Sequence, residues 1–442
     1  MISSFNVTSD SQKTEVGSYF ISNYPPYSSW NDESLGDIKR SLQSPPSINT
    51  PLGLYLHIPF CRKRCKFCYF KVFTDVNASE VQSYVDALSN EISLVSKLPV
   101  VGNRTYRFVY FGGGTPSFLS PKQLTMLADR LRRDISWDSA EEVTFECEPG
   151  TLSETKVKTL RERLGVTRLS LGVENFSDRI LEENGRAHLS KQVFDAWKWI
   201  HDASFENVNI DLISGMVGET WENWRENVRQ ALVLEPDSVT IYQMELPFNT
   251  VYSAGIIGNT IANPVADWTT KRAWVNYAFD ELEKAGYAIS SAYTMVKNPS
   301  KVNFSYRDNL WEGADLIATG IASFGHVNGI HYQNYADLKN YYAALENGTL
   351  PLARGLAPTR YQLLIRSMIL MLKRGYLDST FFEKKFGVSI FENWHHAWAQ
   401  HIKMGDAEAD GGTLRLTRQG LLKVDEILPS FFEPIYRGAR YT

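Results

Sequence analysis

The chain has 442 residues, which is too long for one ordinary hydrophobic core and predicts two or three structural units. Hydrophobic residues make up 43% and charged residues 22% of the sequence, values that exclude a disordered or fibrous protein. The net charge of −4 argues against a dominant role in binding nucleic acid or an anionic membrane.

Residues 1–50 predict an irregular N-terminal extension, because Ser, Asn, Tyr and Pro recur there without a sustained period. From residue 51 onward, short β-type runs alternate with amphipathic stretches of helical period. The predicted strands are Leu54–Ile58, Arg107–Phe111, Glu142–Glu146, Arg168–Val173, Asn207–Ile213 and Ser238–Glu245. The predicted helices are Ala78–Leu94, Pro121–Arg132, Ser153–Leu164, Ser190–Asp202, Trp221–Leu232 and, after a longer loop (Pro247–Asp267), Trp268–Ala285. This α/β alternation predicts a mostly parallel sheet and a partial, TIM-like (β/α) barrel over residues 51–350, with function at the carboxyl ends of its strands.

After about residue 350 the pattern changes to helices followed by a short turn and strand. A mostly helical, winged-helix-like C-terminal domain is therefore predicted over residues 351–442. The acidic segment Met404–Asp410 argues against nucleic-acid binding, so we expect a lid or packing module. The predicted helices are Arg360–Arg374, Asp378–Phe386, Ser389–Ile402 and one from Gln419, and the turn and strand are Gly411–Thr417.

Three of the four cysteines, Cys61, Cys65 and Cys68, crowd into eight positions after the first predicted strand. Thiolates suit zinc or iron–sulfur clusters, but structural zinc normally takes four ligands and no fourth Cys or His lies at suitable local spacing. A four-iron cluster on three thiolates leaves one iron open to a small chelating molecule. The neighbouring basic side chains, which are expected to lower the pKa of these thiols, are Arg62, Lys63, Arg64 and Lys66.

The fourth cysteine, Cys147, lies in a predicted strand at a spacing that suits no local cluster, so we expect it to pack in the core. Four cysteines in this length do not make a disulfide framework. No charged leader precedes an apolar run, and no stretch of about 18 apolar residues occurs. We therefore expect a cytoplasmic chain without a membrane span.

The spacing Cys61-x3-Cys65-x2-Cys68, with the aromatic Phe67 before the last cysteine, resembles the signature of the radical S-adenosylmethionine (SAM) superfamily. The segments Leu54–Cys61, Phe111–Ser117 and Asn209–Gly215 are similar to motifs of the oxygen-independent coproporphyrinogen III oxidase family, and the resemblance covers most of residues 50–430. It implies a [4Fe–4S] cluster on the three cysteines, with SAM chelating the open iron. One-electron cleavage of SAM would then give a 5′-deoxyadenosyl radical that abstracts hydrogen from the substrate.

The resemblance also implies two sites for SAM. The residues implied at the first site are Tyr55, Gly113, Gly114, Thr115, Glu146 and Phe324. The residues implied at the second site are Phe67, Glu174, Arg186, Asp211 and Met244. The family usually has Gln where this chain has Glu174, and a carboxylate cannot donate the amide hydrogen, so the geometry or occupant of the second site is expected to differ.

The turn after Cys68 is Tyr69-Phe70, where the coproporphyrinogen oxidases usually carry a further Cys. With Arg186 and Asp211 retained, this difference favours the two-SAM methyltransferase branch, and C-methylation or cyclopropanation of an sp2 carbon is the expected reaction. The alternatives are oxidative decarboxylation of coproporphyrinogen III in haem biosynthesis and a haem-binding, chaperone-like role. Aromatic residues make up 13% of the chain and suit a flat or hydrophobic small-molecule substrate. The expected reductant is a flavodoxin or a ferredoxin.

Overall fold

A computed structural model describes residues 14–17, 20–47, 49–261 and 264–439 of the chain. Its main feature is a twelve-stranded sheet with the strand order β12-β11-β10-β9-β1-β2-β3-β4-β5-β6-β8-β7. The neighbours β9, β1, β2, β3, β4, β5 and β6 run parallel, and the strands outside this run pair antiparallel. The strands of this sheet are β1 (Leu52–Ile58), β2 (Tyr106–Gly113), β3 (Glu142–Cys147), β4 (Arg168–Glu174), β5 (Asn207–Ser214), β6 (Ser238–Gln243), β7 (Ala288–Ile289), β8 (Thr294–Val296), β9 (Asp315–Thr319), β10 (Phe324–Val327), β11 (Ile330–Asn334) and β12 (Leu352–Leu356).

Helices follow the parallel strands and cover the sheet. Strand β1 is buried on both faces, as is typical of a parallel strand that lies inside such a layer. The helices are α1 (Leu35–Leu42), α2 (Ala78–Val95), α3 (Pro121–Leu131), α4 (Glu154–Thr159), α5 (Asp178–Glu183), α6 (Ser190–Asp202), α7 (Trp221–Leu234), α8 (Val251–Ile257), α9 (Trp268–Lys284), α10 (Ser305–Glu312) and α11 (Leu338–Glu346). The predicted partial (β/α) barrel is thereby confirmed, since the six predicted strands are β1 to β6 in chain order.

The C-terminal region is mostly helical and carries a small three-stranded sheet of order β13-β15-β14, as the winged-helix-like prediction requires. Its elements are α12 (Arg360–Leu372), β13 (Tyr376–Asp378), α13 (Ser379–Phe386), α14 (Ile390–Asn393), α15 (His395–Lys403), β14 (Ala407–Asp410), β15 (Thr413–Leu416), α16 (Arg418–Leu422) and α17 (Val424–Ile427). The single helix expected over Ser389–Ile402 is two helices, because the backbone leaves helical geometry at Trp394.

The N-terminal segment, expected to be irregular, contains helix α1. Ile38 and Leu42, one helical turn apart, are buried in the main core, so tertiary packing stabilises a helix that its short sequence with Gly36 does not predict. The segment joins several parts of the fold. The Gly17 amide donates to the Leu246 carbonyl after β6 at 2.8 Å, and Asn31 pairs with Gly355 of β12.

Three further elements differ from the sequence-based expectations. Helix α8 lies within the predicted loop Pro247–Asp267, and strands β7 to β12 extend the sheet where no strand was predicted. Strand β12 ends at Leu356, slightly beyond the predicted domain boundary at residue 350. In the part of the chain that the structure describes, no helix is long and apolar enough to cross a membrane.

Candidate functional site

The three clustered cysteines lie on one loop at the carboxyl end of β1. This loop is fixed by two backbone hydrogen bonds, from the Phe73 amide to the Pro59 carbonyl at 2.9 Å and from the Cys61 amide to the Phe73 carbonyl at 3.1 Å. Phe60 points into the core and is buried. The thiols of Cys61, Cys65 and Cys68 are free and half-buried. Within the described residues, no three His, Cys, Asp or Glu side chains converge as a site for a single metal ion.

The thiols behave differently from the sequence-based expectation. Burial raises the pKa of Cys61 to about 11 and that of Cys68 to about 12, and the basic side chains of the loop do not reverse this. Arg62 instead donates to the Gly150 carbonyl at 2.7 Å, and Arg64 to the Cys68 carbonyl at 3.2 Å. Arg64 does lower the pKa of Cys68, as expected, but burial outweighs it, and no cation of the loop lowers the pKa of Cys61.

The cation that does approach a thiol comes from a distant part of the chain. Arg186 follows α5, and its Nη1 lies 3.3 Å from the Sγ of Cys65. Its Nη2 donates to the Gly172 carbonyl at 3.0 Å and lies 3.5 Å from Glu174 Oε1. The Nε of Arg186 is buried without a partner among the described residues. A guanidinium in this position offsets the negative charge of anything that the cysteines bind.

The glycine loop after β2 packs directly against the cysteine loop. The Gly114 amide donates to the Ile58 carbonyl at 2.8 Å, and a Cβ on Gly114 would lie 3.0 Å from the Sγ of Cys61. Gly113 has a φ of +121°, which a side chain rarely adopts, and its Cβ would meet the ring of His57 at 2.7 Å. Thr115 donates its hydroxyl to the Sγ of Cys61 at 3.3 Å. Both glycines are thus required by close approach and conformation.

Glu146 on β3 joins the glycine loop to the barrel interior. Its Oε2 accepts the Gly113 amide hydrogen at 3.1 Å, and its Oε1 accepts the Tyr110 hydroxyl hydrogen at 2.7 Å. Burial raises the pKa of Glu146 to about 7, against the hydrogen bonds from Tyr110 and Gly113, which lower it. Tyr55 lies nearby on β1, with its ring 5.9 Å from that of Tyr110 and its hydroxyl 3.1 Å from the Nδ1 of His57.

Phe324, expected beside the same residues, lies further along the sheet on β10. Its aromatic neighbours are Tyr27 at 4.2 Å and Trp30 at 5.6 Å, both from the N-terminal segment. The first group of implied SAM residues is therefore brought together at Tyr55, Gly113, Gly114, Thr115 and Glu146, while Phe324 forms part of a wall that the N-terminal segment completes.

The second group of implied residues divides into a polar part and an apolar part. Asp211 accepts hydrogen bonds from Ser170 Oγ at 2.8 Å and Asn209 Nδ2 at 3.0 Å. Burial, and then the charge of Glu174, raise the pKa of Asp211 to about 8. Glu174 has a φ of +64° at an irregularity in the pairing of β4 with β5, and burial raises the pKa of its carboxyl while Arg186 opposes that shift.

The apolar part consists of Met244, which is buried, and Phe67, which packs against the same small cluster. The other members of that cluster are Ile180, Ile213, Met216 and Val265. Phe67 is part of the cysteine loop, so its packing attaches that loop to this cluster.

His188, to which the sequence assigned no role, contacts Glu148, whose carboxyl was expected at the end of the third strand beside Glu146. The Nδ1 of His188 lies 2.8 Å from Glu148 Oε1, and its Nε2 lies 3.1 Å from the Val173 carbonyl oxygen. Glu148 Oε2 is buried without a partner among the described residues. The signal in the sequence was the spacing of Glu146 and Glu148, which places two carboxyls at the end of one strand. Cys147 between them is buried, so its expected packing role is confirmed.

Five aromatic side chains of the interior are only partly buried, and we name the region beside them the tyrosine-lined cavity. They are Tyr27, Tyr55, Tyr110, Tyr306 and Phe324, and each keeps accessible surface. Burial nevertheless raises the pKa of all four tyrosines. Ring contacts join these residues in two groups, with Tyr110 at 4.3 Å from Tyr306 and 5.9 Å from Tyr55, and Tyr27 at 4.2 Å from Phe324.

The comparisons with known proteins agree with this geometry. The family model of the radical SAM superfamily matches residues 55–231. The haem chaperone HemW of Lactococcus lactis is 31% identical over 302 residues, which cover 67% of this chain and 75% of the relative. The chain belongs to the radical SAM superfamily and to its coproporphyrinogen III oxidase-like family.

Other relatives extend the likeness over most of the chain. The oxygen-independent coproporphyrinogen III oxidase of Synechocystis is 26% identical over 411 residues, 90% of this chain and 87% of the relative. The solved structure of coproporphyrinogen III oxidase (HemN) from Escherichia coli superposes with a TM-score of 0.80 at 22% identity, covering 95% of this chain and 99% of that chain, which shows the shared fold.

Members of this radical SAM family use a [4Fe–4S] cluster and SAM, and the residues present fit both groups. Three free thiols have the family spacing, and the Nε of the neighbouring Arg186 has no partner among the described residues. The carboxyls of Glu146 and Asp211 are buried, and a cationic ligand would favour their ionised form. The relatives named above are porphyrinogen oxidases and a haem chaperone, so they leave the expected methyl transfer without support and favour its two alternatives.

Proposed function

We propose that this radical SAM enzyme oxidatively decarboxylates a porphyrinogen that carries propionate side chains, and that it resembles in this its relatives named coproporphyrinogen III oxidases. The observation that carries the proposal is the extent of the likeness to an oxygen-independent coproporphyrinogen III oxidase, which spans 90% of the chain. The tyrosine-lined cavity supports it, because aromatic walls suit a flat, largely apolar ligand. The oxygen sensitivity of such a cluster fits the cytoplasmic location expected from the sequence.

The proposed roles of the residues follow from their positions. Cys61, Cys65 and Cys68 hold the cluster, Arg186 stabilises its charge, and Gly113 and Gly114 let the backbone approach SAM. Glu146 accepts hydrogen bonds or ion-pairs with the cationic parts of SAM. When bound and reduced, these groups supply a radical that abstracts a hydrogen atom from the substrate.

The chemistry balances for each propionate in a simple way. A propionate side chain that loses one hydrogen atom, one CO2 and one electron becomes a vinyl group, and the electron passes to an oxidised one-electron carrier. The barrel contributes by holding the reacting carbon in place and by excluding water, for which the tyrosine-lined cavity is suited.

A second proposed SAM molecule lies near Arg186, Asp211 and Glu174. Glu174 replaces the amide that the family usually has there, and it already pairs with Arg186 at 3.5 Å. A cationic occupant would neutralise the excess of carboxyls contributed by Glu174 and Asp211.

Electrons are proposed to enter through the basic surface beside the cysteines. Within the described chain, only one of the five cations on this surface has a carboxylate within 4.0 Å, namely Lys66, which pairs with Glu183 at 3.5 Å. An acidic carrier of the flavodoxin or ferredoxin kind complements this charge. The five cations are Arg62, Lys63, Arg64, Lys66 and Lys71.

The test is anaerobic reconstitution with dithionite, coproporphyrinogen III and SAM labelled with deuterium in its methyl group. Mass spectrometry should find vinyl-bearing tetrapyrrole and unlabelled 5′-deoxyadenosine in stoichiometric amounts, and Cys65→Ala should form neither. Deuterium in 5′-deoxyadenosine together with S-adenosylhomocysteine would instead show methyl transfer and refute the proposal.

A haem chaperone is the second candidate function. The 31% identity to HemW and the Tyr69-Phe70 pair after Cys68, in place of a further Cys, favour it. The same reconstituted protein separates the two functions. Stable retention of added haem, without consumption of SAM and without vinyl product, would assign the chaperone role.

A further inference from the structure

The structure contains a buried guanidinium without a matching carboxylate. Arg168 and Arg366 are the buried arginines of the described chain, at 3% and 4% exposure. Arg168 has Glu142 at 3.3 Å, whereas Arg366 has no carboxylate within 4.0 Å among the described residues. A buried charge is costly unless it is paired, so the isolated Arg366 calls for an anionic partner.

The contacts of Arg366 are few and neutral. Its Nε donates to Asn23 Oδ1 at 2.7 Å, and its Nη1 donates to the Leu310 carbonyl at a long 3.4 Å. Its Nη2 makes no hydrogen bond to any residue that the structure describes, and it is not among the polar atoms sealed from solvent. Several donors of this guanidinium therefore remain available in one plane.

The nitrogen bases near Arg366 are Lys385, His326 and His331. Burial and then the charge of Arg366 lower the pKa of Lys385 to about 8. Burial and then Arg366 likewise lower the pKa of His326 and of His331, whose Nδ1 atoms lie 2.9 Å apart. The groups that favour the charged form of Arg366 are the tyrosines Tyr27 and Tyr306. Among the described residues, Glu312 opposes the shift of Lys385, but no carboxylate pairs with Arg366 itself.

The two tyrosines connect Arg366 to the site already described. Tyr27 and Tyr306 both line the tyrosine-lined cavity, and the Tyr306 ring lies 4.3 Å from that of Tyr110. Tyr110 in turn donates to Glu146, which holds the glycine loop. Arg366 also contacts this region directly, because its Nη1 donates to the carbonyl of Leu310, which packs against the same small apolar cluster as Tyr306 and Tyr55.

We propose that Arg366 binds a carboxylate of the substrate in the tyrosine-lined cavity, beside Tyr306 and Leu310. This inference rests on the proposed function and deepens it, since it names the group of an aromatic polyacid that the site recognises. A planar guanidinium with free donors matches a carboxylate in a two-point hydrogen bond, and a site shielded from water strengthens it. Tyr27 and Tyr306 flank the bound group.

The test measures binding separately from turnover. The probe is coproporphyrin III, a stable, flat and fluorescent tetra-acid, titrated into the reconstituted holoenzyme, with its tetramethyl ester as the uncharged counterpart. Arg366→Gln should raise the dissociation constant of the acid by about 10- to 100-fold, because a charge-assisted hydrogen bond is lost. The same substitution should leave the affinity for the ester unchanged.

Two further variants control for a structural role. Asn23→Ala removes the neutral partner of Arg366, so it should weaken binding of the acid far less than Arg366→Gln if the guanidinium acts on the ligand. Arg366→Lys keeps the charge without the planar fork and should be intermediate. Equal weakening by Asn23→Ala and Arg366→Gln would show that Arg366 merely anchors the N-terminal segment and would overturn the proposal.

A third ligand separates this inference from the proposed function. Thermal denaturation with 3-phenylpropionate, a small aromatic carboxylate, should raise the midpoint of the wild type but not of Arg366→Gln. If that holds while coproporphyrin III does not bind, the carboxylate site stands and the porphyrinogen substrate is wrong. If coproporphyrin III binds the wild type and Arg366→Gln equally, the carboxylate site is wrong and the substrate stands. If neither ligand distinguishes the two proteins, Arg366 is not a carboxylate site.

Discussion

Glu146 should make the affinity for SAM depend on pH. Burial raises the pKa of its carboxyl from 4.5 to about 7. Since one pKa unit corresponds to about 1.4 kcal/mol, ionising this group in the folded protein costs about 3 kcal/mol more than ionising it in water. The folded protein therefore binds the proton more tightly than the unfolded chain, and the free energy of unfolding falls as the pH rises from 4.5 towards 7.

A cationic ligand reverses this cost, because it favours the ionised carboxylate. Binding of SAM should release a proton from Glu146 below about pH 7, so the affinity should rise by up to tenfold per pH unit and then level off. Glu146→Gln removes the titrating group. The amide also has one acceptor oxygen instead of two, so the donor of either Gly113 or Tyr110 faces the amide nitrogen. At about pH 8 this variant should bind SAM roughly 10- to 100-fold more weakly than the wild type.

The assay is calorimetric titration of SAM into anaerobically reconstituted protein between about pH 6 and about pH 8, in buffers of different ionisation enthalpy, which counts the protons released. SAM carries an α-ammonium that itself titrates near pH 8, so the quantity to compare is the difference between wild type and Glu146→Gln at each pH. Tyr110→Phe is the matched control. This variant keeps the carboxylate of Glu146 but removes a hydrogen bond that lowers its pKa, so the affinity for SAM should level off at a higher pH than in the wild type. Parallel pH profiles for wild type and Glu146→Gln would refute the reasoning.

Three further outcomes are expected. Cys65→Ala should lose the iron and the visible absorption of the reconstituted cluster, measured by iron analysis and spectroscopy, whereas Cys147→Ala should keep both; equal iron in the two variants would contradict the assignment. Lys63→Glu with Lys71→Glu should slow turnover driven by reduced flavodoxin and leave dithionite-driven turnover unchanged, and a salt-independent rate in the wild type would argue against charge recognition. Gly114→Ala should cost about 1–3 kcal/mol of stability by overpacking and lower the amount of cluster formed, because its Cβ would lie 3.0 Å from the Sγ of Cys61. An unchanged amount of cluster would show that the loop moves to accommodate the methyl group.

The parts of the site that lie close together in sequence were predictable. The spacing of Cys61, Cys65 and Cys68 and the alternation of strands and helices are local patterns, and both are confirmed by the structure and the family. Helix α1 was not predictable from such a pattern, because it is stabilised by burial of Ile38 and Leu42 against distant elements.

Contacts between distant residues were the harder part. Arg186 and Cys65 are 121 residues apart in the chain, and no local pattern places one beside the other. The thiol pKa illustrates the same point. The basic residues next to the cysteines in the sequence predict lowered thiol pKa values. In the fold, Cys61 and Cys68 lose much of their contact with water, and Arg62 and Arg64 donate to backbone carbonyls, so desolvation raises both pKa values.

Arg366 and the carboxyls of Glu146, Glu174 and Asp211 favour ligand groups of opposite charge, and this difference constrains the proposed substrate. If Arg366 anchors one carboxylate of the substrate, as proposed, the ion pair stabilises that carboxylate and disfavours its loss as CO2. A substrate of the proposed decarboxylation would then carry at least two carboxylates, one to anchor it and one to react. A porphyrinogen ester with a single free propionate should bind through Arg366 without being decarboxylated, and its decarboxylation would place the anchoring group elsewhere.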